Sequence, residues 1–293
     1  MKLGVYNAIL HDRPLEDAIK VIADLGLNGI EINSGGFLPS VHIPEIDEII
    51  ADPAAAKAYL ARFDGTGVEI AGLNCNGNPL HPNPIIGDKH AEDVRRSIRA
   101  AAALGQNRVV TMSGLPGGEP GTLHPNWIVN AWNSAALDVL DYQWEIAAKF
   151  WSEIDQLAGD HGVKVALELH PQNIRDIRKL VELTGATNIG VEMDASHLFW
   201  QQADPVAVVR ELGSLIFHAA AKDVRINAEN ARLNGVLDNG FRRLSPDEPR
   251  VNLGGDEWAN EWPKDSSWDF VALGKGHDVA YWTEFIRALY EVD

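Results

Sequence analysis

The chain has 293 residues, 45% hydrophobic and 23% charged, enough to bury one large core. Its formal net charge of −17 argues against a nucleic-acid partner, because phosphate recognition runs on clustered Lys and Arg; the excess acid reads as a solvated surface. Cys75 is the single cysteine, which excludes an intrachain disulfide, and no signal-like or membrane-length apolar run is present, so a cytoplasmic setting without a membrane partner is expected.

In chain order, short β-like runs alternate with longer helical patterns. Lys2–Asn7 reads as a first strand, followed by a helix that Pro14 opens and Gly26 closes. Gly29–Ser34 is a second strand, the stretch from Ala54 is helical, and Val68–Cys75 is a third strand. A helix ending at Gly105 leads to strand four, Arg108–Gly114. A long helix over about Ser134–His161 precedes strand five, Val163–His170. Strand six is Ile189–His197 and strand seven is Ile216–Asp223, with a helix from Asp204 to Gly213 between them. Such βα alternation implies a parallel sheet, and seven repeats favour a (β/α)8 TIM barrel in one domain over an open sheet. No G-x-G-x-x-G follows strand one, so a dinucleotide fold has no support.

After strand seven comes a polar, Trp-containing excursion at about 224–270, long for a βα loop and therefore a candidate lid or binding surface. A final helix runs to the end of the chain. An eighth strand and its helix are not in the pattern, which would leave unpaired edges on strands one and seven. The expectation is a piece of a longer protein, the alternative being that another element fills the gap.

Residues two apart on a strand share a face. On strand five Val163, Val165, Leu167 and Leu169 form the outward set, while Lys164, Ala166, Glu168 and His170 point toward the barrel axis. Strand six adds Glu192 and Asp194 on one face, with His197 three residues on; strand seven adds His218 and Lys222, with Asp223 next in sequence; strand two adds Glu31. Barrel chemistry sits at the C-terminal ends of strands. Carboxylates and imidazoles converging there suit a divalent cation such as Mn²⁺, Mg²⁺, Co²⁺ or Zn²⁺. Each alone could be a satisfied polar residue, but Glu168, Asp194 and His218 together are costly to bury without a cation. Glu192 lies deeper and reads equally well as a structural partner. Lys222 and Asp223 could position substrate hydroxyls or form an ion pair, and His81 could line the pocket. Trp127, Trp132, Trp258 and Trp262 are either packing or aromatic walls for a sugar ring.

The segments "ALELHP", "VEMDASH", "FHAAAKD" and "LGKGHDVAYWTEFI" make the chain resemble the xylose isomerase-like TIM-barrel superfamily, especially its sugar phosphate isomerase/epimerase group. That resemblance implies one divalent cation, Mn²⁺ first, held by Glu168, Asp194, His218 and a strand-eight Glu that has no counterpart here. It implies His197 as a contact to substrate oxygens and Glu168 as the base, with His170 beside it. The implied reaction is isomerisation or epimerisation of a sugar or cyclitol through an enediolate. Elimination from a 3-oxo-glycoside by a C-glycoside deglycosidase subunit is the alternative, in which His170 or Lys222 assists the leaving group. A homo-oligomer is expected, or a hetero-oligomer with a small subunit in the deglycosidase case. An endonuclease IV-like repair enzyme is disfavoured by the charge. A non-catalytic scaffold is disfavoured by the metal residues on three strands.

Overall fold

A computed structural model of the chain describes residues 2–237, 239–254 and 257–292. It divides into two compact units, Met1–Val191 and Glu192–Asp293.

In the first unit, strands and helices alternate: β1 (Gly4–Tyr6), α1 (Leu15–Asp24), β2 (Gly29–Asn33), α2 (Ile46–Ala51), α3 (Pro53–Ala61), β3 (Glu69–Asn74), α4 (Pro84–Ala103), β4 (Arg108–Met112), α5 (Ser134–His161), β5 (Lys164–Glu168) and α6 (Ile174–Thr184). β6 (Ile189–Asp194) begins here and ends in the second unit. β1 to β5 pair in parallel, Ile30 standing beside Ile70 and Met112 beside Glu168. Ile30, Ile32, Leu73, Val109, Val165 and Leu167 are solvent-free, because a parallel sheet covered by helices buries its apolar positions completely.

Helix boundaries follow cap chemistry. Asn83 accepts from the Ile85 amide ahead of Pro84 at the start of α4, and Asn133 accepts from the Ala136 amide at the start of α5. Asn173 and Asp176 form a capping box on α6, and Gly162 and Gly185 close α5 and α6 in the left-handed conformation. Trp151 on α5 is fully buried and donates its indole N–H to the Ser113 carbonyl. Trp127 packs edge-on against Trp144 of the same helix, so it serves the helix layer. Burial pushes the Cys75 thiol up to about 12.

The second unit continues with α7 (Ala195–Trp200), α8 (Pro205–Leu212), β7 (Ile216–Ala220), β8 (Asp223–Ile226), α9 (Ala228–Asn234), β9 (Asn252–Gly254), β10 (Glu257–Trp258), β11 (Trp268–Val271) and α10 (Val279–Val292). α8 and α10 pack together, and Arg210 bridges Glu284 and Glu291 along that seam. The excursion has structure of its own: β8 and β11 pair antiparallel, Phe270 opposite Val224, and β9 pairs with β10. Gly255 and Asp256 of the excursion lie outside the described residues.

β1 to β7 follow one another in a single sheet in chain order, the strand order of a TIM barrel. Among the described residues no eighth strand joins that sheet, so the fold is that barrel without its last strand–helix unit. All seven strands are shorter than the sequence suggests, and at three of them the difference bears on the candidate site residues. β5 stops at Glu168, before His170, whose bond to Pro171 is cis. β6 stops at Asp194 because that side chain caps a helix there. β7 stops at Ala220, because Asp223 leaves the parallel sheet to pair with Val271.

The loop after β2 depends on Gly36. Its φ is +83°, its amide donates to Asp93, and a Cβ there would lie 2.1 Å from the Asn76 carbonyl oxygen. Gly36→Ala is expected to destabilise the protein by at least about 2 kcal/mol, read as a lowered thermal midpoint by circular dichroism. An unchanged midpoint would contradict this packing. Because its thiol is buried and pushed up to about 12, native Cys75 is expected to resist iodoacetamide until denaturant is added, as mass spectrometry would show.

Candidate active site

The first unit places several hydrogen-bonded polar groups at the C-terminal ends of its strands. Asn76, two residues past β3, donates to the Glu168 carboxylate at the end of β5, and Glu168 is buried. Asn74 at the end of β3 donates to Glu31 of β2 at 2.6 Å. Tyr6 at the end of β1 donates to Asn33 at 2.9 Å, and Asn7 accepts from the Asn33 amide at 2.8 Å. Burial first, then the negative charge of Glu31, holds the Tyr6 phenol well above its ordinary pKa, so it stays a neutral donor. His81 is buried, with its Nδ1 accepting from the Asn83 amide, which puts the proton of the neutral ring on Nε2. His170 is half-buried just past β5.

The second unit places Asp194 at the last position of β6 and the first of a helix. Its Oδ1 accepts from the Ser196 amide at 2.7 Å and caps α7. Its Oδ2 lies 3.3 Å from Lys222 Nζ and 3.6 Å from His197 Nε2. Asp194 and His197 are both buried, whereas Lys222 is about half exposed and its ammonium sits 4.2 Å from the centre of the Phe270 ring. The edge of the Phe270 ring system also meets His197, at 5.9 Å between centroids. His218 is half-buried in the middle of β7.

Asp223, for which the sequence leaves a substrate contact and an ion pair equally open, is an anchor. It is fully buried. Oδ1 accepts from the Val224 amide and His277 Nδ1, and Oδ2 from the amides of Gly274, Gly276 and His277. Gly276 is required there, since a Cβ would lie 2.0 Å from the Val224 carbonyl oxygen. The "GKGH" segment is thus the loop that wraps this carboxylate. Burial works to raise the Asp223 pKa, but the His277 side chain and the backbone donors outweigh it and hold it below the usual carboxylate value.

Sequence reasoning named Glu31, Glu168, Asp194, His197 and Lys222 and did not single out Asn76, Tyr6, Trp200 or Phe270. Asn76 carried a faint signal, an Asn just past a strand in "NCNG". Trp200 carried another, since it lies three residues from His197 and so shares its helix face. Phe270 reaches His197 and Lys222 through the β8–β11 pairing, which no local pattern announced.

Residues 19–293 match the family model described as xylose isomerase-like TIM barrel. An uncharacterized Bacillus subtilis protein, YfiH, is 33% identical over 296 residues, covering 99% of this chain and 88% of that protein. The 3-keto-D-glucoside 4-epimerase YcjR of E. coli superposes with a TM-score of 0.55 at 15% identity, over 75% of this chain and 78% of that one. The IolI protein with a bound zinc atom superposes with a TM-score of 0.57 at 17% identity, over 100% of this chain and 86% of that one.

A depressed carboxylate stabilises the fold above its unfolded pKa and loses that contribution as pH falls through the folded value. Asp223→Asn is therefore expected to lower the thermal midpoint near neutral pH, with the gap to wild type closing as the medium is acidified below the ordinary carboxylate range. A gap that stays constant from neutral pH to strong acid would show that the charge of Asp223 contributes nothing.

Proposed function

Because the chain belongs to the xylose isomerase-like TIM-barrel family, we propose that it is a divalent-metal-dependent enzyme that moves a proton next to the carbonyl of a sugar or cyclitol. One observation carries the reading: Asp194 uses Oδ1 to cap α7 and leaves Oδ2, buried, in company with an ammonium and an imidazole. A buried carboxylate oxygen needs a positive partner.

The donor set fits a cation. In the second unit Asp194 would supply a carboxylate oxygen and His197 an imidazole nitrogen, both buried, and the resemblance adds His218 there and Glu168 at the end of β5 in the first unit. Mixed oxygen and nitrogen donors suit Mn²⁺, Zn²⁺ or Co²⁺ better than a soft metal. The bound zinc of IolI and the keto-glucoside chemistry in the name of YcjR support the cation and the substrate class. When bound, the cation would polarise the substrate carbonyl and stabilise the negative charge of an enediolate.

The remaining work falls to the side chains. Glu168, whose carboxylate accepts from Asn76, is the proposed base for the proton on the carbon beside the carbonyl. His197 and Lys222 are donors for neighbouring hydroxyl oxygens. Return of the proton to the opposite face gives an epimer and return to the adjacent carbon gives an isomer. Loss of a β-substituent gives elimination, for which His170 or Lys222 is the proposed proton donor.

Asp194→Ala and His218→Ala are each expected to lose stoichiometric Mn²⁺, measured by calorimetry and metal analysis, and to lose turnover of keto-sugars. Metal retained in full by Asp194→Ala would overturn the assignment. Product analysis of keto-sugars against 3-oxo-glycosides separates proton return from aglycone release.

A further inference from the structure

We infer that Trp200 is a positioning residue that fixes the tautomer of His197, the histidine for which the resemblance implies a contact to substrate oxygens, with its proton on Nε2. The inference rests on the reading of the Asp194–His197 turn as the active site and sharpens it.

α7 carries both residues on one face, three apart. The Trp200 indole nitrogen lies 3.4 Å from His197 Nδ1. An indole N–H can only donate, so Nδ1 must offer its lone pair. A neutral imidazole whose Nδ1 accepts carries its proton on Nε2. Nε2 is the atom that points toward Asp194 Oδ2, 3.6 Å away. A metal ligand needs the opposite arrangement, a lone pair on the ligating nitrogen and a proton on the other, handed to an acceptor. With Trp200 donating, ligation through Nε2 would require both nitrogens to be bare, an imidazolate. That agrees with the ligand set the resemblance implies, in which His218 and not His197 serves the cation.

The tryptophan is itself held from the excursion. Its ring stacks on Trp268 of β11 at 5.1 Å and 10°, and both are buried. Trp268 meets Trp262 and Phe270 edge-on, and its own indole donates to the Val236 carbonyl. Phe270 then returns to the His197 ring. The imidazole is thus braced from one side by an N–H donor and from another by an aromatic contact, and both braces involve residues of the β8–β11 pair. Such a brace holds the Nε2–H in one direction before substrate arrives.

The test uses full-length protein with ¹⁵N-labelled histidine, with the His197 signals assigned by His197→Gln. Wild type is expected to show an acceptor-type Nδ1 and a protonated Nε2, unchanged in type when Zn²⁺ is added. Trp200→Phe keeps the ring stack and removes the donor; it is expected to give a mixture of tautomers at His197 with the thermal midpoint within a few degrees of wild type. His197→Gln is expected to bind Zn²⁺ with the wild-type stoichiometry by calorimetry. A proton on Nδ1 in wild type, a tautomer unaffected by Trp200→Phe, or loss of Zn²⁺ from His197→Gln would overturn the inference. Failure of the metal reading looks different: wild type itself would bind no Zn²⁺, and the tautomer spectra would still report on Trp200.

Discussion

The candidate site depends on the double use of one carboxylate. Asp194 ends a buried strand and begins a helix, and the same side chain does both jobs through different oxygens. The capping bond from Ser196 fixes the rotamer, so Oδ2 is aimed by the backbone itself. It also starts α7 at once, which brings His197 to within 3.6 Å of the carboxylate and Trp200 one turn further round. An extended chain past Asp194 would have carried His197 away from it. The chemistry proposed for the site therefore follows from where a strand stops.

A second carboxylate shows the contrast. Asp223 follows Lys222 directly, yet it is consumed by five donors and holds the loop ahead of α10, while Lys222 turns toward Asp194. Full satisfaction makes Asp223 a structural node. It also explains the glycines on either side of Lys275, which let three backbone amides crowd one carboxylate. Burial alone does not distinguish the two aspartates; where their oxygens are spent does.

Much of this was legible in the sequence. Period-two alternation in "VALELH" put Glu168 at a strand end, and βα repetition put that end at the mouth of a barrel. The D-x-x-H spacing is visible, but the sequence reads as strand as far as His197, because a cap by Asp194 is indistinguishable from one more strand residue until the chain turns. The sequence leaves Asp223 open between a substrate contact and an ion pair for a similar reason: its place after the strand is visible, but its five partners come largely from residues some fifty positions later. The aromatic brace around His197 was illegible, because it is made by pairing β8 with β11 across a long irregular excursion. Non-local contacts of that kind leave no periodic trace.

The central claim, proton transfer next to a carbonyl at a site armed by Glu168, is tested most directly by hydrogen exchange into substrate. Candidate keto-sugars and keto-cyclitols would be incubated with Mn²⁺-loaded protein in D₂O and the carbon positions read by NMR. The account predicts deuterium at the carbon adjacent to the carbonyl with wild type, and none above background with Glu168→Gln. Substrate turned over without any such deuterium, or with equal deuterium in both proteins, would contradict it.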